Sequence, residues 1–394
     1  MNKLPGRFLV ALAFFGAVGP LGIDMFLPGL PVLRDDLDST PAATQLTISG
    51  FMLGMAVGNL LFGAISDGTG RKRPIAAASL VFFLASVACA LTPSIGVLIA
   101  SRFLQGLAGG CVIVVSRAII PDLVHGTAAA RAFSALMALT GFMPAIAPAI
   151  GGLLLGPVGW RGIFWVLAAL NLLQVIVALR LTETLPPDRR TTGTLSTLFP
   201  RMWQCVKRPA FRGYMAAGSL GFGALFAYIS ASPLVLQSQL GFSATAYAFT
   251  FGAIALTLPA SNVVNMQMVR KVAPRTLLVW ALRIDALVAA ALLIIALVHP
   301  TAWMVALFAV LAMMSGFISA NASALAVEEV RDIGAGAGSG AMGFAQFVVA
   351  AVVPALVGVG SNHAASMALT SLACAGIAFV AVRVLSPAAP KASS

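Results

Sequence analysis

A chain of 394 residues that is 60% hydrophobic and 9% charged is not a soluble globular protein, which carries about a quarter charged residues. Its mean hydropathy of +0.99 places it in a bilayer. The formal net charge of +12 suggests nucleic acid at first sight, but the placement of the bases excludes that reading.

A bilayer core about 30 Å thick takes about 20 apolar residues per helix. Continuous apolar runs of that length predict twelve spans, at 8–31, 43–65, 74–92, 96–121, 130–155, 162–181, 211–237, 244–268, 274–298, 301–325, 335–360 and 364–386. Barrel strands would alternate over about ten residues, and these runs do not. The first run is long enough to cross, so it reads as span 1 rather than as the short core of a cleaved leader. Twelve spans put both termini on one side. That side holds 19 of the 24 basic residues, against Arg34 and Arg161 in the opposite loops and three within spans. Positive charge collects in the cytoplasm, so both termini are expected there and the surplus charge is topology. The lipid bilayer, not nucleic acid, is the expected partner.

Along the chain, span 1 carries Gly22-Ile-Asp24-Met25-Phe-Leu-Pro28-Gly-Leu-Pro31. A carboxylate inside a span costs about 3 kcal/mol on insertion scales and marks function by default. Spans 2 and 3 are joined by Gly63-Ala-Ile-Ser-Asp67-Gly-Thr-Gly70-Arg71-Lys72-Arg73, where an acid, glycines and bases share a short loop. Asp67 suits a helix N-terminus, whose free N–H groups favour an anion. Span 4 carries Arg102-Phe-Leu-Gln105-Gly106-Leu-Ala-Gly109, a polar and glycine face at i, i+3, i+4 and i+7. Asp24 and Arg102 lie at compatible depths below the outer ends of spans 1 and 4, so Asp24 is expected to contact Arg102 or Gln105. Protonation of Asp24 would then release that contact and bias a two-state equilibrium. The plainer alternative is a permanent hydrogen-bond brace. Span 5 carries Pro144-Ala-Ile-Ala147-Pro148-Ala-Ile-Gly151-Gly152, a kinked, small-residue helix suited to tight packing against proton leak.

The polar stretch from Glu183 to Phe211 divides the chain into 1–182, a linker at 183–210, and 211–394. A weak repeat supports the division, because Arg71-Lys72 and Pro74 recur as Arg270-Lys271 and Pro274, with Met266 in the place of Asp67. A solute site near the midplane between two such halves is the expected geometry. Polar groups in apolar spans, Gln45, Tyr228, Ser232, Asn321 and Gln346, with Met25, Met143 and Phe347 as adaptable apolar contacts, are candidate cavity residues. Each is also a candidate for ordinary helix packing. Arg283 is expected to snorkel to the inner interface and Asp285 to be structural. Cys89, Cys111, Cys205 and Cys374 lack metal spacing and read as packing residues, and no metal or catalytic cluster is expected.

The Gly63–Arg73 loop resembles the loop between helices 2 and 3 of major facilitator superfamily transporters. The resemblance implies an all-α integral membrane fold of two six-helix halves. It also implies that Asp67 meets the start of helix 11, here Gly334–Gly340, and that Arg71 pairs with Asp122, closing the cytoplasmic face. The span 5 run resembles the antiporter motif of drug–proton exporters, with Ala147 where many members have glycine. Ile23–Pro31, Thr44–Ser49, Trp160–Trp165, Glu183–Arg190 and Ser232–Gln237 narrow the likeness to the Bcr/CflA branch, across essentially the whole chain. Pro121 stands where many relatives have a second arginine. The likeness implies a monomeric, proton-driven exporter of bicyclomycin- or chloramphenicol-type drugs in a bacterial plasma membrane, with the proton motive force in place of any cofactor and no enzyme activity. A metabolite exporter or symporter on the same fold is the alternative. A receptor or membrane enzyme lacks any supporting domain or constellation.

Overall fold

The computed structural model of the protein describes residues 6–190 and 194–386. Among them, eleven helical stretches are long and apolar enough to cross a bilayer, and one, Gly126–Arg180, runs to 55 residues. A straight helix of that length would extend about 80 Å, more than twice the hydrocarbon core. It reverses at Gly159, whose φ of 65° is the left-handed region that glycine enters without penalty. Span 5 therefore runs out and span 6 runs back, giving twelve crossings. Phe8 and Arg180 line one groove at the face carrying the termini. Trp160, just past the turn, donates to Asp36 at the far face.

Spans 1–6 pack on one another, as do spans 7–12, and the two groups meet along spans 2 and 11 and along spans 5 and 8. Large apolar side chains on the outer surface, among them Leu84, Leu153, Leu172, Leu287, Ile294 and Leu297, are exposed. They form a lipid-facing belt, which a bilayer tolerates where water would not. Helix contacts inside lean on small residues because lipid supplies no hydrophobic drive for association. Spans 2 (Pro41–Thr69) and 4 (Ile95–Leu123) show this reciprocally. A Cβ on Gly54 or Gly58 would stand 2.1 Å from the carbonyl oxygen of Phe103 or Leu107, and one on Gly106 would stand 1.9 Å from that of Phe51.

Several spans are broken at middle depth. Span 1 is helical over Gly6–Asp24, turns through Leu27–Gly29 and resumes at Leu30–Asp36. Pro28 lacks an N–H and its ring opposes a continuous helix. Span 5 breaks at Phe142, ahead of Pro144, and span 8 breaks at Leu256, ahead of Pro259. Span 7 (Pro209–Pro233) widens into a π turn at Leu234–Gln239. Within the stretch read as a plain polar linker, the structure adds a helix at Thr194–Lys207. It turns Met202 and Cys205 inward and leaves Phe199 and Trp203 exposed, and it packs against spans 2, 7 and 11. All four cysteines are free and buried, and the described residues hold no cluster fit for a metal.

Because the clashes at spans 2 and 4 are with backbone, no side-chain shift relieves them. Gly106→Val is expected to destabilise the protein by about 3 kcal/mol or more, read as a lower melting temperature in detergent, whereas Gly96→Ala, with only Ser94 at 3.8 Å, should leave melting unchanged.

Candidate functional site

The break in span 1 organises the site. With the helix interrupted after Asp24, the Gly22 carbonyl lacks the amide it would bind in a continuous helix. Arg102 of span 4 supplies the donor instead, from Nη1 at 2.8 Å, and its Nη1 also binds Gln105 Oε1 at 2.7 Å. Gln105 in turn donates to Ser86, which also accepts from Asn171 of span 6. The guanidinium lies 4.3 Å from the ring centres of both Phe26 and Phe51 and is fully buried. A desolvated cation held between ring faces gains about 2 kcal/mol per such contact.

Asp24 does not join this cluster. Among the described residues its carboxylate forms no hydrogen bond or ion pair, and it faces a cavity of about 250 Å³ between the halves. The expected Asp24–Arg102 or Asp24–Gln105 contact is therefore absent in this conformation, because the arginine is committed to the broken helix and its aromatic sandwich. The cavity wall is otherwise apolar, with Met52, Met55, Phe222, Phe226 and Phe251 opposite the acid.

Of the residues expected to line the cavity, Tyr228 and Phe347 do so, the former with its ring stacked on Phe251. The others lie elsewhere. Gln45 is buried and donates to the Ser230 carbonyl at 2.7 Å. Met25 is buried in the core, Ser232 bonds Tyr247, and Asn321 bonds Asn265. Gln346 sits beside Gly218. Met143 packs against the core next to Pro144, which does reach the cavity. Polarity in a span marked these positions, but most of it is used between helices. The missed lining residues, such as Phe222 and Met55, carry no polar mark that could have singled them out.

The two halves are joined at the far side. Gln45 crosses from span 2 to span 7, and Gln237 crosses from span 7 to the Pro28 carbonyl at 3.2 Å. Gly151 and Gly152 occupy adjacent faces of span 5. A Cβ on Gly151 would stand 1.8 Å from the Met25 carbonyl oxygen in span 1, and one on Gly152 would stand 2.7 Å from Ala248 Cβ in span 8. Pro148 is buried in the same segment. Among the described residues, the first part of span 5 and the second part of span 8 do not pack closely on the termini side. The cavity is thus sealed from the far side and parted toward the termini along the 5/8 edge.

At the termini face, Arg71 ties three elements of the first half. It donates to Asp122 at 2.9 Å, to Asp67 at 2.5 Å and to Ser66 at 2.8 Å. Asp67 binds Arg71 and not the Gly334–Gly340 stretch, so that expected clasp between halves is not made here. Glu183, not anticipated in this role, accepts the backbone N–H groups of Arg71 and Lys72 as well as those of Thr184 and Leu185. Burial pushes the Glu183 carboxyl up, but these amides outweigh it and hold it below its ordinary 4.5. Gly70 has φ of 91°, and a Cβ there would stand 2.4 Å from Glu183 Oε2, which explains the glycine on two counts. Gly63 meets only Val114, at 3.4 Å. Arg283 stands 5.6 Å from the Phe379 ring, while the buried Asp285 has no hydrogen-bond partner among the described residues.

The model of the Major Facilitator Superfamily matches residues 12–354. The chain belongs to this superfamily. Its members are transporters rather than enzymes. The superfamily protein is 32% identical to the uncharacterized MFS-type transporter YdgK of Bacillus subtilis, over 93% of each chain. It is 30% identical to the bicyclomycin resistance protein homolog of Haemophilus influenzae, over 95% of this chain and 94% of that one. It is also 33% identical to the multidrug resistance protein MdtL of Salmonella heidelberg, over 66% of this chain and 65% of that one. In fold it is similar to a bacterial homolog of the lysosomal transporter Spinster, with a TM-score of 0.76, 15% identity and coverage of 98% and 100%. It is similar also to the xylose transporter XylE of E. coli, with a TM-score of 0.71, 14% identity and coverage of 97% of each chain.

Two outcomes follow for this transporter. Glu183 has a lowered folded pKa, so its contribution is full above pH 4.5 and is lost as pH falls through the folded value. Glu183→Gln should lower stability at pH 7 by on the order of 1 kcal/mol after solvent screening and flatten the loss on acidification, both read from melting curves across pH. Gln45→Leu should loosen the far-side seal, seen as faster thiol labelling of a cysteine introduced at Ser49.

Proposed function

We propose that the protein is a proton-driven efflux antiporter for small amphipathic drugs of the bicyclomycin and chloramphenicol kind. It works as a monomer by alternating access in a bacterial plasma membrane with both termini in the cytoplasm. The observation that carries this reading is the lone, unpaired carboxylate of Asp24 on the wall of an aromatic and methionine-lined cavity between the halves. The names of the relatives, a bicyclomycin resistance protein homolog and a multidrug resistance protein, support the cargo. The concentration of basic residues on the termini side supports the orientation.

Asp24 sits at the broken end of a helix whose Gly22 carbonyl holds Arg102. Loading or unloading a proton changes the charge one residue before the break and across from span 7. That shifts the balance between the arrangement seen here, sealed at the far side, and one sealed at the termini side. Drug arrives from the parted 5/8 edge and leaves at the far side, once the Gln45 and Gln237 bonds open and the contact of Gly152 with span 8 slides. The proton moves the opposite way through Asp24, and the proton motive force supplies the drive.

In proteoliposomes, wild-type protein is expected to release protons on drug addition and to lose transport when an uncoupler is added. Asp24→Asn should still bind drug within about threefold while losing coupled transport by tenfold or more. Unchanged proton release by that variant would remove Asp24 from the coupling role.

A further inference from the structure

The cavity at Asp24 continues toward the termini side as a second chamber of about 280 Å³ that shares Pro20 and Ile113 with the first. Arg117 of span 4 lines it, together with Ser116, Thr140 of span 5 and, across the gap between the halves, Asn262 of span 8. Ser116 and Thr140 donate their hydroxyls to carbonyls of their own helices. Arg117 and Asn262 are both exposed, and neither side chain has a hydrogen bond or ion pair among the described residues. A guanidinium inside a span faces a bundle interior or a water-filled cavity, and there it marks a solute path.

The charges along this path are few. Among the described residues, Asp24 is the acidic group lining the first chamber, Arg117 is the basic group lining the second, and the second half contributes no charged side chain to either wall. Arg102 lies behind the first chamber, fully buried. The path is therefore net positive whether or not Asp24 holds a proton, and low-dielectric walls strengthen that field. The axial separation is set by Gly19, which packs on Ile113. Counting outward to Asp24 and inward to Arg117 at 1.5 Å per residue gives about 13 Å, room for a small amphiphile lying along the path.

We propose that Arg117 and Asn262 form a subsite at the mouth of the cavity for the hydrogen-bond acceptor group of an amphipathic solute. The group is a carboxylate, nitro or carbonyl oxygen, the apolar body lies against Met52, Met55, Phe222 and Phe226, and organic cations are excluded. This deepens the drug-efflux reading, since it rests on the cavity being the solute path, and it does not depend on proton coupling. Arg117 comes from one half and Asn262 from the other. An acceptor held between them draws the parted edge together, which is the first step of occlusion. Arg117 alone can take a carboxylate through two parallel N–H bonds, so an anion should gain most.

The test is binding to the purified full chain in lipid nanodiscs, using three fluorescent probes on one naphthalene scaffold that carry a carboxylate, a primary carboxamide or a trimethylammonium group. The carboxylate and carboxamide are expected to bind at least about tenfold tighter than the ammonium. Arg117→Gln should weaken the carboxylate about tenfold, the carboxamide less, and the ammonium not at all. Arg117→Lys, which keeps the charge, should keep the carboxylate ahead of the ammonium. Replacing Arg117 breaks no hydrogen bond or ion pair among the described residues, and an unchanged melting temperature verifies each variant. Tightest binding by the ammonium, equal weakening of all three probes by Arg117→Gln, or no binding of the acceptor probes would overturn the proposal. Asp24→Asn measured beside them separates the two readings. Lost proton coupling with the probe order intact leaves the subsite standing, and intact coupling with the order abolished removes the subsite alone.

Discussion

A carbonyl freed by a broken helix has to find a donor inside the protein, because the bilayer core offers none. In this chain that requirement falls at middle depth, where proline interrupts span 1. The Gly22 carbonyl is met by Arg102, and the arginine is then held between Phe26 and Phe51. Between the cavity and the far side, the Pro28 carbonyl in the turn of span 1 and the Ser230 carbonyl in span 7 accept from Gln237 and Gln45 of the facing half. The same breaks that make room for a cavity thus provide acceptors that hold the halves together. These contacts are single hydrogen bonds between moving bodies, and a net value near 1 kcal/mol each makes them strong enough to bias a state and weak enough to be released.

Charge is divided between places that stay together and places that part. The Arg71, Asp67, Asp122 and Glu183 corner lies within the first half and the start of the linker that follows it, fastening the loop after span 2 to the end of span 4 and to the chain leaving span 6. It stiffens a rigid body. In the two chambers between the halves the described charged groups are Asp24 and Arg117, neither with a hydrogen bond or ion pair among the described residues, and both face the space that a solute would fill. An ion pair across that space would have to be broken in every cycle, at the full cost of separating charges in a low dielectric. Leaving the two groups unpaired avoids that cost and leaves them free for cargo and proton.

Much of this was legible in residues. Apolar runs gave the spans, and the Gly63–Arg73 loop gave the superfamily. The pairing of Arg71 with Asp122 was visible from the motif likewise. The cavity lining was not. Gln45, Ser232 and Asn321 stood out as polar in apolar spans, yet each is used up in a helix contact. Phe222 and Met55, which do face the cavity, are indistinguishable in sequence from lipid-facing neighbours such as Leu84. A bilayer removes the polar-out pattern that would tell one helix face from another in water.

The sequence by itself determined what depends on neighbours along the chain: which segments enter the membrane, where proline must break them, and where glycine must stand to let a turn such as Gly70 exist. It also placed a carboxylate in span 1 and an arginine in span 4 at compatible depths. Only the tertiary structure decided that these two do not touch. Arg102 is taken by a carbonyl and two rings from other segments, so Asp24 is left facing the cavity. Which partner a buried charge finds depends on the rotation of each helix about its axis, and that is fixed by packing against all the others.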